Sequence, residues 1–140
     1  MGAIGSPIVV GYVDTPEGDA ALDRAILEAG QRGARLVVIS SHKGGSSLDK
    51  TEAAEITESL ENVRDRLAGS GVEHEIRQLV RGSDPSDDLI AVAEEENAEF
   101  IVIGLRRRTP VGKLILGSNA QRILLDATCP VLAVKASRED

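Results

Sequence analysis

The chain has 140 residues, of which 41% are hydrophobic and 1% aromatic, and it carries a formal net charge of −7. This length is typical of one domain, so we expect a single domain over residues 1–140, with a core built from Val, Ile, Leu and Ala. The acidic balance argues against a protein that binds nucleic acid or anionic membranes in general, because both are themselves negatively charged.

Short apolar runs alternate along the chain with stretches of helical spacing. Five runs predict strands, and they cover residues 8–13, 36–39, 72–80, 100–103 and 131–134. Four intervening stretches predict helices, which begin near residues 16, 51, 85 and 118. The third run alternates only weakly, so it predicts a half-exposed strand at an edge of the sheet.

Particular residues mark the ends of these helices. Thr15 and Asp84 each precede a proline, and this pair suits a helix start because proline has no N–H to leave unpaired. Gly30 or Gly33 is expected to end the first helix. Residues 42–50 are polar and predict a loop before the second helix.

Strands that alternate with helices predict parallel strands joined by right-handed crossovers. Five such strands predict a doubly wound sheet. In sheets of this kind, ligands bind beyond the carboxyl ends of the strands, at the point where the strand order reverses. If the first and fourth strands are neighbours there, Asp14 faces Gly104. A carboxylate that can accept from ribose hydroxyls would then lie opposite a loop that can hold phosphates, which suits a nucleotide.

The segment from Gly104 to Ser118, which we call the basic loop, reads G-L-R-R-R-T-P-V-G-K-L-I-L-G-S. It lies between the fourth apolar run and the fourth predicted helix. Its basic residues, with no acid, give it a charge of +4, and they are Arg106, Arg107, Arg108 and Lys113. Backbone N–H groups at the positive end of a helix dipole bind phosphate, so the segment predicts a phosphate site.

Neither of the two common phosphate motifs fits the basic loop. A P-loop has a glycine five residues before its Gly-Lys pair and Ser or Thr after it, but Arg107 and Leu114 stand at those positions. A dinucleotide fingerprint would follow the first strand, where the chain reads G-Y-V-D. A classical nucleoside triphosphatase and a classical dehydrogenase are therefore both disfavoured.

The chain resembles the universal stress protein family over its whole length, from V-G-Y-V-D in the first strand to the closing C-P-V-L-A-V. The family's nucleotide motif is Gly, two residues, Gly, nine residues, Gly, then Ser or Thr. Gly104 matches its first position, and Gly117 with Ser118 matches its last pair. Arg107 replaces the second glycine. The resemblance implies a three-layer α/β fold of the adenine nucleotide alpha hydrolase type, with five parallel strands in the order 3-2-1-4-5.

The resemblance also implies a function and a binding site. Members of this type are homodimeric regulators of the stress response that bind ATP, or ADP or AMP, and hydrolyse it slowly at most, so no catalytic residues are assigned. Whether Mg²⁺ accompanies a triphosphate is open. The dimer would pair through Val131 to Val134. The nucleotide-binding positions carried over are Val13, Asp14, Ser41, Ile103, Gly104, Arg107, Gly117, Ser118, Asn119 and Ala120.

Other interpretations stay open. The chain could be a nucleotide-free interaction module of the same fold that acts through a protein partner, because the Arg107 side chain would either close the phosphate site or contact the phosphate itself. Asp14 could be a turn residue, Ser118 an N-cap, and the arginine run a solvated face. An enzyme of the wider adenine-nucleotide group would need a nucleophile–base pair, and the spacing offers none.

The cysteine count and hydropathy bear on location. Cys129 is the single cysteine, so no internal disulfide can form and a reducing compartment is the default. No apolar run approaches the ~20 residues that span a bilayer, and the N-terminus lacks the pattern of a signal peptide. We therefore expect a cytoplasmic protein without a metal site, in which His42 and His74 lie at the surface.

Overall fold

The computed structural model describes residues 6–42, 50–80, 84–108, 113–114 and 117–136. Four helices are α1 (Pro16–Arg32), α2 (Lys50–Ala68), α3 (Pro85–Glu96) and α4 (Ser118–Asp126). The strands are β1 (Ile8–Gly11), β2 (Leu36–His42), β3 (His74–Val80), β4 (Phe100–Leu105), β5 (Arg107–Arg108), β6 (Lys113–Leu114) and β7 (Val131–Lys135).

Five of the strands form one parallel sheet in the order β3-β2-β1-β4-β7. This confirms the predicted order 3-2-1-4-5, with β7 as the fifth strand. In the central strand, Ile8 pairs with Leu36 of β2 on one side and with Phe100 of β4 on the other. The strand order therefore reverses between β1 and β4. β3 lies at one edge, as its weak alternation predicted, and the opposite edge is β7.

Helices cover both faces of the sheet and give the predicted three layers. Helices α1 and α2 pack on one face around Leu22 and Val63, while α3 and α4 pack on the other around Leu89 and Ile123. Successive residues of a strand point to opposite faces, so the adjacent valines of β1 contribute to different layers. This explains why the first apolar run is continuous rather than alternating.

The helix ends follow the predicted chemistry at α1 and depart from it at α4. The Thr15 hydroxyl oxygen accepts from the Gly18 N–H at 3.1 Å, and α1 ends at Gly33, whose φ of 66° favours glycine. Asp84 occupies the N-cap position of α3 without a capping hydrogen bond from its side chain. The N-cap of α4 is Gly117, so the interpretation of Ser118 as a capping residue is wrong. Ser118 is instead the first helical residue.

Several element boundaries differ from the prediction. β1 ends at Gly11, and Val13 is 51% exposed, because the chain already turns toward α1 there. β2 runs on to His42, so Ser41 lies within the strand rather than after it. β4 extends to Leu105, and the basic loop contains an antiparallel pair, β5 with β6, that apolar patterning could not reveal. Most of the predicted polar loop, residues 43–49, lies outside the described residues.

No helix in the described part of the chain combines the length and the apolar character that a membrane crossing requires.

Candidate functional site

Two adjoining clefts open at the carboxyl ends of β1 and β4, where the strand order reverses. The inner cleft has a volume of about 150 Å³ and the outer cleft about 280 Å³. They share four lining residues, which are Val13, Gly104, Asn119 and Ala120. The two clefts are therefore neighbouring parts of one elongated depression, in the position where doubly wound sheets bind ligands.

The inner cleft is mainly apolar. Its apolar walls come from four different elements, and they include Ile39 of β2, Leu89 of α3, Ile103 of β4 and Ile123 of α4. Ser41 and Ser86 also line it. An apolar cleft with a few polar groups suits a flat ring that carries hydrogen-bonding atoms on its edge.

Ser41 is held by a buried carboxylate. Its Oγ donates to Asp88 Oδ2 of α3 at 2.5 Å, and Asp88 is only 4% exposed. This separation is typical of a charge-assisted hydrogen bond from a hydroxyl to a carboxylate. The bond fixes the orientation of the Ser41 hydroxyl at the wall of the inner cleft.

The outer cleft faces the N-terminus of α4. This helix begins without a side-chain cap and has no acidic residue in its first turn. By contrast, α1 begins with the Thr15 cap and carries Glu17 and Asp19 in its first turn. No capping side chain therefore accepts from the first backbone N–H groups of α4. The positive end of the α4 dipole favours an anion at this position.

An acidic side chain also reaches the outer cleft. Glu17 Oε2 of α1 lies 3.5 Å from Arg106 Nε, and the Glu17 side chain is 15% exposed whereas that of Arg106 is 65% exposed. Both residues line the outer cleft. The positive charge of the basic loop is therefore partly offset by an acid that is distant in sequence.

The two glycines of the site differ in whether packing requires them. A Cβ at Gly104 would lie 2.1 Å from the carbonyl oxygen of Glu17, so the packing of β4 against α1 itself requires glycine there. Gly117 has an ordinary φ of −71°, and a Cβ on it would meet no described atom within 4 Å. Packing among the described residues gives no reason for this second glycine, which lies on the wall of the outer cleft.

Comparison with known proteins agrees with this architecture. Residues 6–135 match the model of the universal stress protein family. A universal stress protein of Mycolicibacterium smegmatis is 45% identical over 128 residues, which cover 91% of this chain and 96% of that protein.

This chain belongs to the universal stress protein family.

Two solved structures of the family hold a nucleotide. The universal stress protein from Archaeoglobus fulgidus in complex with dAMP is 33% identical, has a TM-score of 0.78 and aligns over 94% of this chain and 99% of its own. A universal stress protein in complex with cAMP is 26% identical, has a TM-score of 0.73 and aligns over 94% and 98% of the two chains. Both ligands are adenine nucleotides.

In this universal stress protein, eight of the ten predicted site residues line the joined clefts. Ser41 and Ile103 line the inner cleft, Gly117 and Ser118 line the outer one, and the other four are the shared residues. Asp14 is exposed at the bend that follows β1. The backbone of Arg107 belongs to β5, but its side chain lies outside the described part of the structure.

Asp14 acts electrostatically on Tyr12. Burial, as the largest cause, together with the negative charges of Asp19 and Asp14 raises the pKa of Tyr12 to about 12. The Tyr12 hydroxyl donates to Asp19 Oδ1 at 3.2 Å, and Arg66 of α2 donates to the same oxygen. Tyr12 is therefore a neutral phenol near pH 7 that ties the end of β1 to α1 and α2.

The sequence prediction missed Glu17, Ser86 and Asp88. The start of α3 lies at the same carboxyl edge of the sheet as the basic loop, so the polar run S-D-P-S-D-D was the available signal for the last two residues. In the sequence, Glu17 is simply an acidic residue in the first turn of a predicted helix, and nothing there indicates that it reaches the site. Within the described residues, no group of three or more His, Cys, Asp or Glu side chains could hold a metal ion.

Proposed function

We propose that this protein binds an adenine nucleotide, ATP or the related ADP or AMP, and acts as a homodimeric regulator of the stress response. The observation that carries the proposal is the joined depression at the reversal of strand order. One end of it is apolar with hydroxyl groups, and the other end is an uncapped helix N-terminus. A nucleotide has the matching division into base, ribose and phosphate.

The base would occupy the inner cleft, between the aliphatic side chains of Leu89 and Ile103. The ribose would then lie at the residues that both clefts share, near the backbone of Val13 and Gly104. We expect the carboxylate of Asp14, the residue after Val13, to accept from the ribose hydroxyls.

The phosphates would lie in the outer cleft. The Ser118 hydroxyl and the first backbone N–H groups of α4 would donate to them, and Gly117 would let phosphate approach the backbone closely. Arg106 is exposed beside the same cleft and can add a charged contact. Mg²⁺ would enter with a triphosphate, held chiefly by phosphate oxygens.

The relatives in complex with dAMP and cAMP support an adenine nucleotide as the ligand class. We infer a binding role rather than a catalytic one, with slow hydrolysis at most. A regulator of this kind reports the nucleotide through its own conformation or through a partner protein.

The homodimer would form at β7. This strand pairs with β4 on one side, and no other strand of the described sheet lies on its other side. Its sequence VLAVK has one charged residue, whereas the opposite edge, β3, reads HEIRQLV and carries Glu75 and Arg77. A short apolar edge strand offers backbone groups to a second copy of the chain.

Analysis of co-purified nucleotide tests the proposal. Protein purified without added nucleotide is denatured, and the supernatant is run on anion-exchange chromatography beside ATP, ADP and AMP standards. We expect one of these nucleotides in near-stoichiometric amount, or, for protein that lost its ligand, a rise in melting temperature with millimolar ATP and Mg²⁺. Empty protein whose melting temperature stays unchanged would favour the nucleotide-free interaction module instead.

A further inference from the structure

The hydrogen bond between Ser41 and Asp88 fixes more than an orientation. An ionised carboxylate can only accept hydrogen bonds, so the Ser41 hydroxyl must use its one proton as the donor in this bond. Toward the inner cleft, Ser41 Oγ is left with lone pairs alone. A side chain that could otherwise donate or accept is thereby restricted to accepting.

Beside Ser41 lies a second hydroxyl group, that of Ser86, which lacks a partner among the described residues. Ser86 is 1% exposed, and its Oγ has no hydrogen-bond partner among the described residues. An unsatisfied buried hydroxyl costs free energy, which a polar atom in the adjoining cleft would offset. Ser86 and Asp88 both lie in the first turn of α3, so this helix start supplies both the hydrogen-bond partner of Ser41 and a buried hydroxyl beside the inner cleft.

We propose that Ser41, whose proton is engaged by the positioning residue Asp88, presents only an acceptor to the inner cleft and makes it selective for a 6-aminopurine over a 6-oxopurine. The inference rests on the proposed nucleotide binding and adds the means by which the base is chosen. With Ser41 facing purine position 6, an exocyclic amino group at that position donates a hydrogen bond to Ser41 Oγ. A 6-oxo group brings its own lone pairs against those of Ser41 and leaves both oxygens unpaired.

Calorimetric titration with AMP and IMP tests the selectivity, because the two ligands share the ribose and phosphate and differ at the purine 6 and 1 positions. ATP and ITP serve in their place if the monophosphates bind too weakly to measure. We expect wild-type protein to bind AMP at least about ten-fold more tightly than IMP, as one good hydrogen bond and one avoided lone-pair contact would give.

Two substitutions examine the mechanism. Asp88→Asn keeps the shape but supplies an amide N–H that can donate to Ser41 Oγ, so that the serine proton can turn toward the cleft. We expect the ratio of AMP to IMP affinity to fall by about ten-fold or more. Ser41→Ala removes the acceptor and its lone pairs, so it should lower AMP affinity, leave IMP affinity unchanged or higher, and reduce the affinity ratio about ten-fold.

Asp87→Asn is the matched control. It makes the same change of charge one position earlier in α3, at a residue that pairs with Arg122 at 2.9 Å and does not touch Ser41. Its affinity ratio should equal that of the wild type. Circular dichroism and melting temperature establish that each variant is folded. If Asp88→Asn does not fold, the affinity ratio of Ser41→Ala alone tests the proposal.

The outcomes separate this inference from the proposed function. Equal wild-type affinities for AMP and IMP, or a ratio unchanged in both Asp88→Asn and Ser41→Ala, overturn the inference and leave nucleotide binding in place. No measurable binding of any adenine nucleotide overturns the proposed function and the inference with it.

Discussion

The backbone of Gly104 packs directly against the carbonyl oxygen of Glu17, at a distance that leaves no room for a side chain on residue 104. The contact joins β4 to the first turn of α1 across the point where the strand order reverses. It also brings the Glu17 carboxylate to the outer cleft beside Arg106. One close approach of two backbones therefore determines both the local packing and the charge of the candidate site.

Gly104→Ala is expected to destabilise the protein by at least about 2 kcal/mol, because its Cβ would lie 2.1 Å from a backbone oxygen that cannot move without shifting α1. Urea unfolding monitored by circular dichroism measures the change. Gly117→Ala is the matched control, since a Cβ there meets no described atom. It should cost about 1 kcal/mol, which is the typical penalty of alanine at an N-cap. Similar losses for the two variants would contradict this account of Gly104.

Glu17→Gln removes a negative charge from the outer cleft and frees Arg106 from its ion pair. We expect ATP affinity to rise several-fold at low salt, and the gain to shrink as added salt screens the charges. Titration calorimetry at two ionic strengths measures both effects. Glu55→Gln, an exposed position on α2, is the control for overall charge. An unchanged affinity in Glu17→Gln would mean that phosphate does not occupy the outer cleft.

Arg107→Gly places glycine at the second position of the nucleotide motif that the resemblance implies, and its effect on ATP affinity tells which role the arginine has. If its side chain contacts phosphate, the loss of a charge-assisted hydrogen bond worth about 1.5–3 kcal/mol should weaken ATP binding ten-fold or more. If its side chain closes the site, the same change should strengthen binding. Arg108→Gly removes the same charge one position along and serves as the control. An affinity that changes equally in both variants would indicate a general charge effect.

Ala133→Pro tests the dimer at β7. Ile101 donates its N–H to the carbonyl of Pro130 at 3.0 Å, so alternation along the strand turns the N–H groups of Val131 and Ala133 toward the free edge. Proline at residue 133 removes one of these outward N–H groups and spares the pairing with β4. We expect monomers in sedimentation, whereas Ala133→Ser keeps the N–H and should stay dimeric. A dimer that persists in Ala133→Pro at unchanged melting temperature would refute this interface.

Glu96 should contribute to the loss of stability in acid. Hydrogen bonds from Arg77 and Arg35 hold the pKa of Glu96 below its usual range. A carboxyl whose pKa is lower in the folded state stabilises the fold above the unfolded pKa, and this stabilisation is lost as pH falls through the folded pKa. Urea midpoints measured from pH 7 to pH 3 should fall less steeply in Glu96→Gln than in the exposed control Glu94→Gln. Parallel profiles would contradict the assignment.

Much of the fold was predictable because its signals are local. Apolar runs separated by helical spacing gave the strands, and Thr15 before Pro16 gave the start of α1. The strand order came from the family resemblance together with the rules for parallel sheets. The β5–β6 pair was missed because two-residue strands in a basic segment carry no apolar pattern. The alternative interpretation of Ser118 as an N-cap was wrong because Gly117 occupies that position, and the position of a cap depends on backbone geometry as well as on residue type.

The sequence by itself determined the alternation of strands and helices, the family, and the glycine-rich segment that lies at the reversal of strand order. These follow from residue types and spacings that can be read along the chain. Only the tertiary structure decided that Glu17 faces Arg106 and that Ser41 donates to Asp88, 47 positions away. Such contacts depend on how α1 and α3 lie against the sheet, because pairs this far apart in the chain meet only through the packing of whole elements.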